Sequence, residues 1–158
     1  MGAGSLTMTH AHSEIEYVSA MIGEQLFGVP IARVLDVFAP ERLTRVPLAV
    51  AEIAGVLNLR GRIVTAIDMR RRLDLPPRDE SKKSMAIGVE HRGESYGLLV
   101  DQVGEVLKLP AAACDPVPVN LDPVWARIAA GVHRLDGKLM VVLDVDRVFE
   151  RHAETVAA

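Results

Sequence analysis

The side chains that most often carry metal or nucleophilic chemistry are sparse in this sequence. There are five histidines, His10, His12, His91, His133 and His152, and a single cysteine, Cys114. His10 and His12 stand in the N-terminal tail, and the other three are far apart in the chain. A zinc protease needs two histidines one helical turn apart around a glutamate, and a serine hydrolase needs a strained G-x-S-x-G turn. A nucleotide-binding loop needs glycines whose amides cradle phosphate. None of these patterns occurs, nor does a Cys-His pattern, so no metal or cofactor is expected, and a metal-free acid–base enzyme using scattered carboxylates has no pattern in its support. The cluster of Arg70, Arg71, Arg72, Arg78, Lys82 and Lys83 is interrupted by Asp74, Asp79 and Glu80 and lacks an aromatic platform, so it reads as a solvated face. Arg60 sits in a turn, where it can be solvated, pair with a carboxylate such as Asp68, or fork bonds to a partner. Asp68 and Asp144 read first as helix caps, worth about 1 kcal/mol each. Such residues suit binding to other proteins better than chemistry.

Composition bounds the elements that must position these groups. The chain has 158 residues, of which 49% are hydrophobic, 25% charged and only 4% aromatic, so it folds around a core of Val, Leu, Ile and Ala. A net charge of −3 gives no electrostatic case for nucleic acid or an anionic membrane. One cysteine excludes an internal disulfide and fits a reducing compartment. No apolar run approaches the roughly 18 residues of a membrane span. Residues 1–15 lack the basic start and apolar stretch of a signal peptide and read as a mobile tail. The cytoplasm is the expected location, without direct membrane insertion.

From Glu16 onward, short β-type segments alternate with glycine turns. Strands are expected at Tyr17–Ile22, Gln25–Pro30, Val34–Phe38, Ile53–Leu59 and Arg62–Ile67, the last two joined by Arg60-Gly61. A short helix capped by Asp68 follows and ends before Pro76. After a surface loop over residues 76–83, strands are expected at Met85–Glu90, Tyr96–Val100, Gln102–Leu109, Ile128–Leu135 and Lys138–Leu143. Asp136-Gly137 is the strongest hairpin signal. Residues 110–123 read as irregular, with room for a short helical piece. Asp144 opens a final amphipathic helix to about His152, with Val145, Val148 and Phe149 on one face.

The two runs are related. Phe27-Gly28 through Val37 lies over Tyr96-Gly97 through Val106, a shift of 69 residues at which Val34/Val103 and Val37/Val106 are identical. Gly55, Gly61 and Asp68 lie over Gly131, Gly137 and Asp144 at a shift of 76. The pattern predicts a mostly β protein of two lobes, each a barrel of about five strands, related by a pseudo-two-fold axis and followed by a C-terminal helix. Barrels remove exposed strand edges, and two lobes leave a groove between them. The expected organisation is a tail over 1–15, one domain over 16–151 and a tail over 152–158. Within the domain the lobes are expected at about 16–75, with contacts from the C-terminal helix, and 84–143.

These residues resemble the CheW family of chemosensory coupling proteins. The matching pieces are Phe27-Gly28-Val29-Pro30-Ile31, Gly55 through Gly61 with its Asn58-Leu59-Arg60-Gly61 run, Asp68-Met69-Arg70, Leu99 through Val106, Gly131, and Leu143-Asp144-Val145-Asp146. The similarity covers about residues 15–151. It implies SH3-like double-barrel lobes, no enzymatic activity, and an adaptor joining the cytoplasmic tip of a chemoreceptor (a methyl-accepting chemotaxis protein) to the regulatory domain of a CheA-type histidine kinase. It further implies that Val34, Asp36, Val100 and Val103 line the receptor groove, and that Gly55 and Arg60 fall at positions important for coupling. Asp36 and Met69 depart from the Glu and Leu frequent in the family. Strand alternation by itself leaves open whether Val34, Val100 and Val103 face the core or the groove. Two other readings remain: a similar adaptor in a non-flagellar pathway, and a small β-barrel enzyme or ligand-binding protein with an enclosed polar pocket.

Overall fold

Arg60-Gly61, Arg92-Gly93 and Asp136-Gly137 each separate runs of β-forming residues. All three are two-residue hairpin loops in the computed structural model, which describes residues 13–41, 43–46, 52–79 and 82–150. Both residues of each loop have positive φ (53° and 83°, 51° and 80°, 29° and 79°), the conformation whose twist matches that of the flanking strands. The Asn58 side-chain oxygen accepts from the Gly61 amide at 2.8 Å and fastens the first loop.

The ten strands are β1 (Glu14–Ile22), β2 (Gln25–Pro30), β3 (Val34–Phe38), β4 (Ile53–Leu59), β5 (Arg62–Asp68), β6 (Met85–His91), β7 (Glu94–Val100), β8 (Gln102–Pro110), β9 (Ala129–Leu135) and β10 (Lys138–Leu143). They form two five-stranded sheets, ordered β8-β1-β2-β10-β9 and β3-β6-β7-β5-β4. Exchanging β1 with β6, β2 with β7, β8 with β3, β9 with β4 and β10 with β5 converts one order into the other. The duplication seen in the sequence is therefore present in the strand pairing, and in each sheet one parallel pair, β2–β10 or β7–β5, joins the hairpins.

The lobes are not the two halves of the chain, which corrects the expected division at 16–75 and 84–143. The β1–β2 hairpin pairs with β8 and β10, and the β6–β7 hairpin pairs with β3 and β5. Each repeat thus lends a hairpin to the other repeat's sheet. The backbone crosses between sheets at a 3-10 turn, Ile31–Arg33, and crosses back at Asp101. An isolated hairpin leaves two edges unpaired, and exchange covers both with edges of matching register. The tail also ends earlier than expected, because Glu14 and Ile15 register with Pro110 and Leu109 in β1–β8. Residues 1–12 and 151–158, with His10, His12 and His152, lie outside the described residues.

Each sheet is closed by one isolated bridge. Thr44 and Val56 exchange backbone hydrogen bonds of 2.8 Å, and Asp115 and Val132 exchange bonds of 2.8 and 2.9 Å. These straps explain the matched glycines. A Cβ on Gly55 would collide with the Thr44 carbonyl oxygen, and one on Gly131 would stand 2.8 Å from both the Asp115 oxygen and the Cys114 sulfur.

Among the described residues there are three α-helices: α1 (Met69–Arg72), α2 (Pro123–Ile128) and α3 over residues 145–150. Asp68 caps α1 through the Arg70 amide at 3.0 Å, and Asp144 caps α3 through the Asp146 amide at 3.2 Å. Helix α2 was not anticipated as such; its signal was Asp122-Pro123, a cap followed by proline at the first helical position. One apolar core joins the sheets, containing Phe27 and Val29 of the first, Ile87, Leu98 and Val100 of the second, Met69 of α1, and Val148 and Phe149 of α3.

His133, on β9, is buried beside the Tyr17 ring, whose hydroxyl lies 3.4 Å from its Nε2. Burial lowers its pKa below the ordinary 6.5. The unfolded chain therefore binds the proton more readily, and stability falls as pH drops below the ordinary histidine range. His133→Leu is expected to flatten the urea midpoint between about pH 7.5 and 5.5, where the parent protein loses stability.

Candidate functional site

The two crossings define a seam between the sheets, and β3 and β8 start from it. Val34 opens β3 and Val103 is the second residue of β8; both are half-buried and pack against the shared core. They are the matched pair of the repeat, one beside each crossing. Asp36 follows on β3, past a bulge between Val34 and Asp36. Val100 does not join them. It is fully buried in the core at the end of β7, and this corrects its expected place in the groove. Strand β7 is buried on both faces from Gly97 onward, and Val100 shares the core-facing side of Leu98, two residues before it.

Asp36 is wedged against its β3–β6 partner, Gly88. A Cβ at Gly88 would collide with Asp36 Oδ1, which is buried and has no hydrogen-bond partner. Its Oδ2 lies 3.6 Å from Arg62 Nη2. Gly55 and Arg60 are on a different element, the β4–β5 hairpin. Gly55 supplies a close backbone approach at φ +155°. Arg60 is exposed, and among the described residues it makes no ion pair. The Arg60–Asp68 pairing considered above does not form, because Asp68 caps α1 and has Arg71 Nε at 3.7 Å.

Sequence reading passed over the exposed apolar residues on two of the four edge strands, β3 and β8. On β3, Leu35 is 45% and Val37 40% exposed, and on β8, Val106 is 50% exposed. Val37 and Val106 are the second identical pair of the repeat, so the signal was present. Burial alone shows that this pair faces solvent. The two edges therefore share one exposed apolar position, Val37 on β3 and Val106 on β8, and β3 adds Leu35 where β8 has Gly104.

Each crossing is held by an arginine–carboxylate pair, with the charges reversed. At the return crossing, Asp101 Oδ1 accepts from Arg70 Nε and Arg78 Nε at 2.9 Å each, and Oδ2 accepts from Arg70 Nη2 and the Gly23 amide at 2.7 Å each. Burial would raise this carboxyl, but the bonds from Arg70, Gly23 and Arg78 outweigh it and hold the pKa far below the usual carboxylate range. At the first crossing the base is Arg33, whose Nη1 and Nη2 donate to Asp146 of α3 at 3.2 and 2.9 Å. Asp146 also meets His91 Nδ1 at 3.0 Å, and the His91 ring stacks on Phe149. Arg70 and Asp146 occupy the same position, two residues after the caps Asp68 and Asp144. Arg72 is buried and donates to the Val148 and Arg147 carbonyls of α3 at 2.8 and 3.2 Å, which corrects its place on a solvated face.

Two apolar edge strands and a charge-fastened seam define a two-lobed protein-binding module. Among the described residues no group of three or more His, Cys, Asp or Glu side chains could hold a metal ion, and no helix is long and apolar enough to cross a membrane. Residues 16–153 match the family model of the CheW-like domain, and the chain belongs to that family. It is similar to the chemotaxis protein CheW of Helicobacter pylori, with 25% identity over 137 residues, 87% of this chain and 82% of that one. The chemotaxis protein CheW of Thermotoga maritima is 29% identical over 144 residues, 91% of this chain and 93% of that one. Among solved structures, the scaffolding protein TtCheW from Thermoanaerobacter tengcongensis superposes with a TM-score of 0.78 at 30% identity, covering 86% of this chain and 92% of that one. The chain is a non-enzymatic adaptor of chemotaxis signalling, and its two sheets are the SH3-like lobes expected from the sequence.

Proposed function

We propose that this adaptor joins the cytoplasmic tip of a chemoreceptor to the regulatory domain of a CheA-type histidine kinase, working in the cytoplasm and reaching receptor arrays through those partners. The observation that carries this reading is the pair of pseudo-equivalent edge strands. Leu35 and Val37 on β3 and Val106 on β8 expose apolar side chains at an edge of each sheet among the described residues. An adaptor needs two such faces, and each is suited to strand-edge pairing with a similar barrel. Val34, Val103 and Asp36 at the seam are proposed to meet the receptor, and Arg60 to support coupling to the kinase. Interfaces of this kind depend on a few apolar anchors, and a multivalent assembly raises occupancy beyond any single contact.

The direct test mixes the protein with receptor-bearing membranes and a CheA-type kinase. Co-sedimentation and a change in kinase output are expected, and absence of both refutes the proposal. Arg60→Ala should weaken the kinase response several-fold while moving the melting temperature little, since the side chain is exposed and without an ion pair. A large loss of stability would instead make Arg60 structural. A second reading keeps the adaptor role but in a non-flagellar chemosensory pathway, and one similar protein is not named for chemotaxis. The chain is 26% identical over 133 residues to Protein PilI of Pseudomonas aeruginosa, 84% of this chain and 73% of that one. Which kinase responds decides between the two.

A further inference from the structure

A cleft of about 850 Å³ opens beside the Asp101 knot, and Arg70, Arg78, Lys82 and Lys83 line it together with Asp79 and Asp101. We propose that it binds a multiply charged, soluble oxyanion of the phosphate type. The coupling function does not require this site, and the proposal stands apart from it.

Among the described lining residues four cations face two carboxylates, a net charge of +2 that a dianion would neutralise. Asp101 is already committed, with its two oxygens accepting from Arg70, Arg78 and the Gly23 amide. Arg70 is satisfied as well, because its remaining Nη1 donates to the Pro76 carbonyl at 2.8 Å. Arg78 is not. Its Nε is used by Asp101, but its Nη2 is buried without a hydrogen-bond partner. Leaving a charged donor buried with no acceptor is unfavourable, and an oxygen acceptor drawn in beside Arg78 would relieve that cost. Lys82 and Lys83 are exposed on the same loop and make no ion pair among the described residues. A phosphate-type anion answers both features, with oxygens that accept from an oriented guanidinium and a diffuse charge that pairs with flexible ammonium groups. The knot also holds Arg70 and Arg78 in place beforehand, which lowers the ordering cost of binding. The residues around the cleft include no aromatic side chain on which a base could stack, which argues against single-stranded nucleic acid.

The test is calorimetric titration of the full chain with pyrophosphate at low ionic strength, against sodium chloride at matched ionic strength. One saturable site is expected with pyrophosphate only, together with saturable NMR shifts of the Gly23 amide and Arg78 Nε–H. Lys82→Gln/Lys83→Gln leaves the Asp101 knot intact and is expected to weaken binding about tenfold, with a shallower salt dependence. Equal heats from chloride overturn the proposal, as does unchanged affinity in the double variant. A hexaglutamate peptide that binds more tightly than pyrophosphate also overturns it, and assigns the cleft to an acidic protein segment.

Discussion

Asp101→Asn is expected to lower the unfolding free energy by about 2–4 kcal/mol, read as a fall in urea midpoint at unchanged slope. The substitution preserves size but not chemistry. Oδ1 accepts from two arginine Nε groups, and Oδ2 from Arg70 Nη2 and the Gly23 amide. Whichever oxygen becomes an amide nitrogen then faces two donors, and two guanidiniums lose their countercharge. Gly23 belongs to the turn between β1 and β2, while Arg70 and Arg78 belong to the second lobe, so the damage falls on the junction between lobes. The parent protein adds a pH signature. The Asp101 carboxyl is held well below its ordinary 3.8 in the fold, so its contribution is complete above the unfolded-state value. It is lost as pH falls from about 4 toward the folded value. Asp101→Asn should remove that part of the acid dependence. A variant with parental stability, or with an unchanged acid slope, would show that the knot holds nothing.

Gly55→Ala is expected to cost roughly 2–4 kcal/mol, combining overpacking with a left-handed backbone. The Thr44 carbonyl passes where the new methyl must go, at a residue with φ +155°. The displaced element is the strap whose two bonds to Val56 close the second barrel. Gly61→Ala is the control. Gly61 has φ +83° but nothing within 4 Å of a Cβ, so it reports the backbone part alone, about 1 kcal/mol. If the two variants lose equal stability, steric closure by the strap is wrong. If Gly55→Ala also weakens kinase coupling beyond its loss of folded protein, Gly55 acts in the interface as well as in the barrel.

Both predictions rest on contacts between residues distant in sequence, and this separates what could be read early from what could not. Hairpin loops, helix caps and the duplication are local. Positive φ at Arg60-Gly61 or Asp136-Gly137 is set by a dipeptide, a cap by an aspartate and the next turn, and a repeat by matching residues in order. These features, and with them the two-lobed β architecture and the family, were legible in the residues alone. The ownership of the strands was not. A hairpin carries two equivalent edges, and nothing within β1–β2 says that it will pair with β8 and β10 rather than with β3 and β5. That choice is made by the registers available once both repeats are folded, and it moved the lobe boundaries. Val100 shows the same limit within a strand: alternation defines two faces, and only the packing of the second sheet on the first decides that both are covered and that Val100 meets the shared core. Arg72 and Arg78 read as surface cations because charge normally seeks water. Burial became affordable only where α3 carbonyls and Asp101 arrived from 75, 76 and 23 residues away. The sequence by itself determined the repeat, its turns and its kind. The tertiary structure decided which repeat owns each hairpin and which charges sit inside, because both depend on partners that only the closed fold brings within bonding distance.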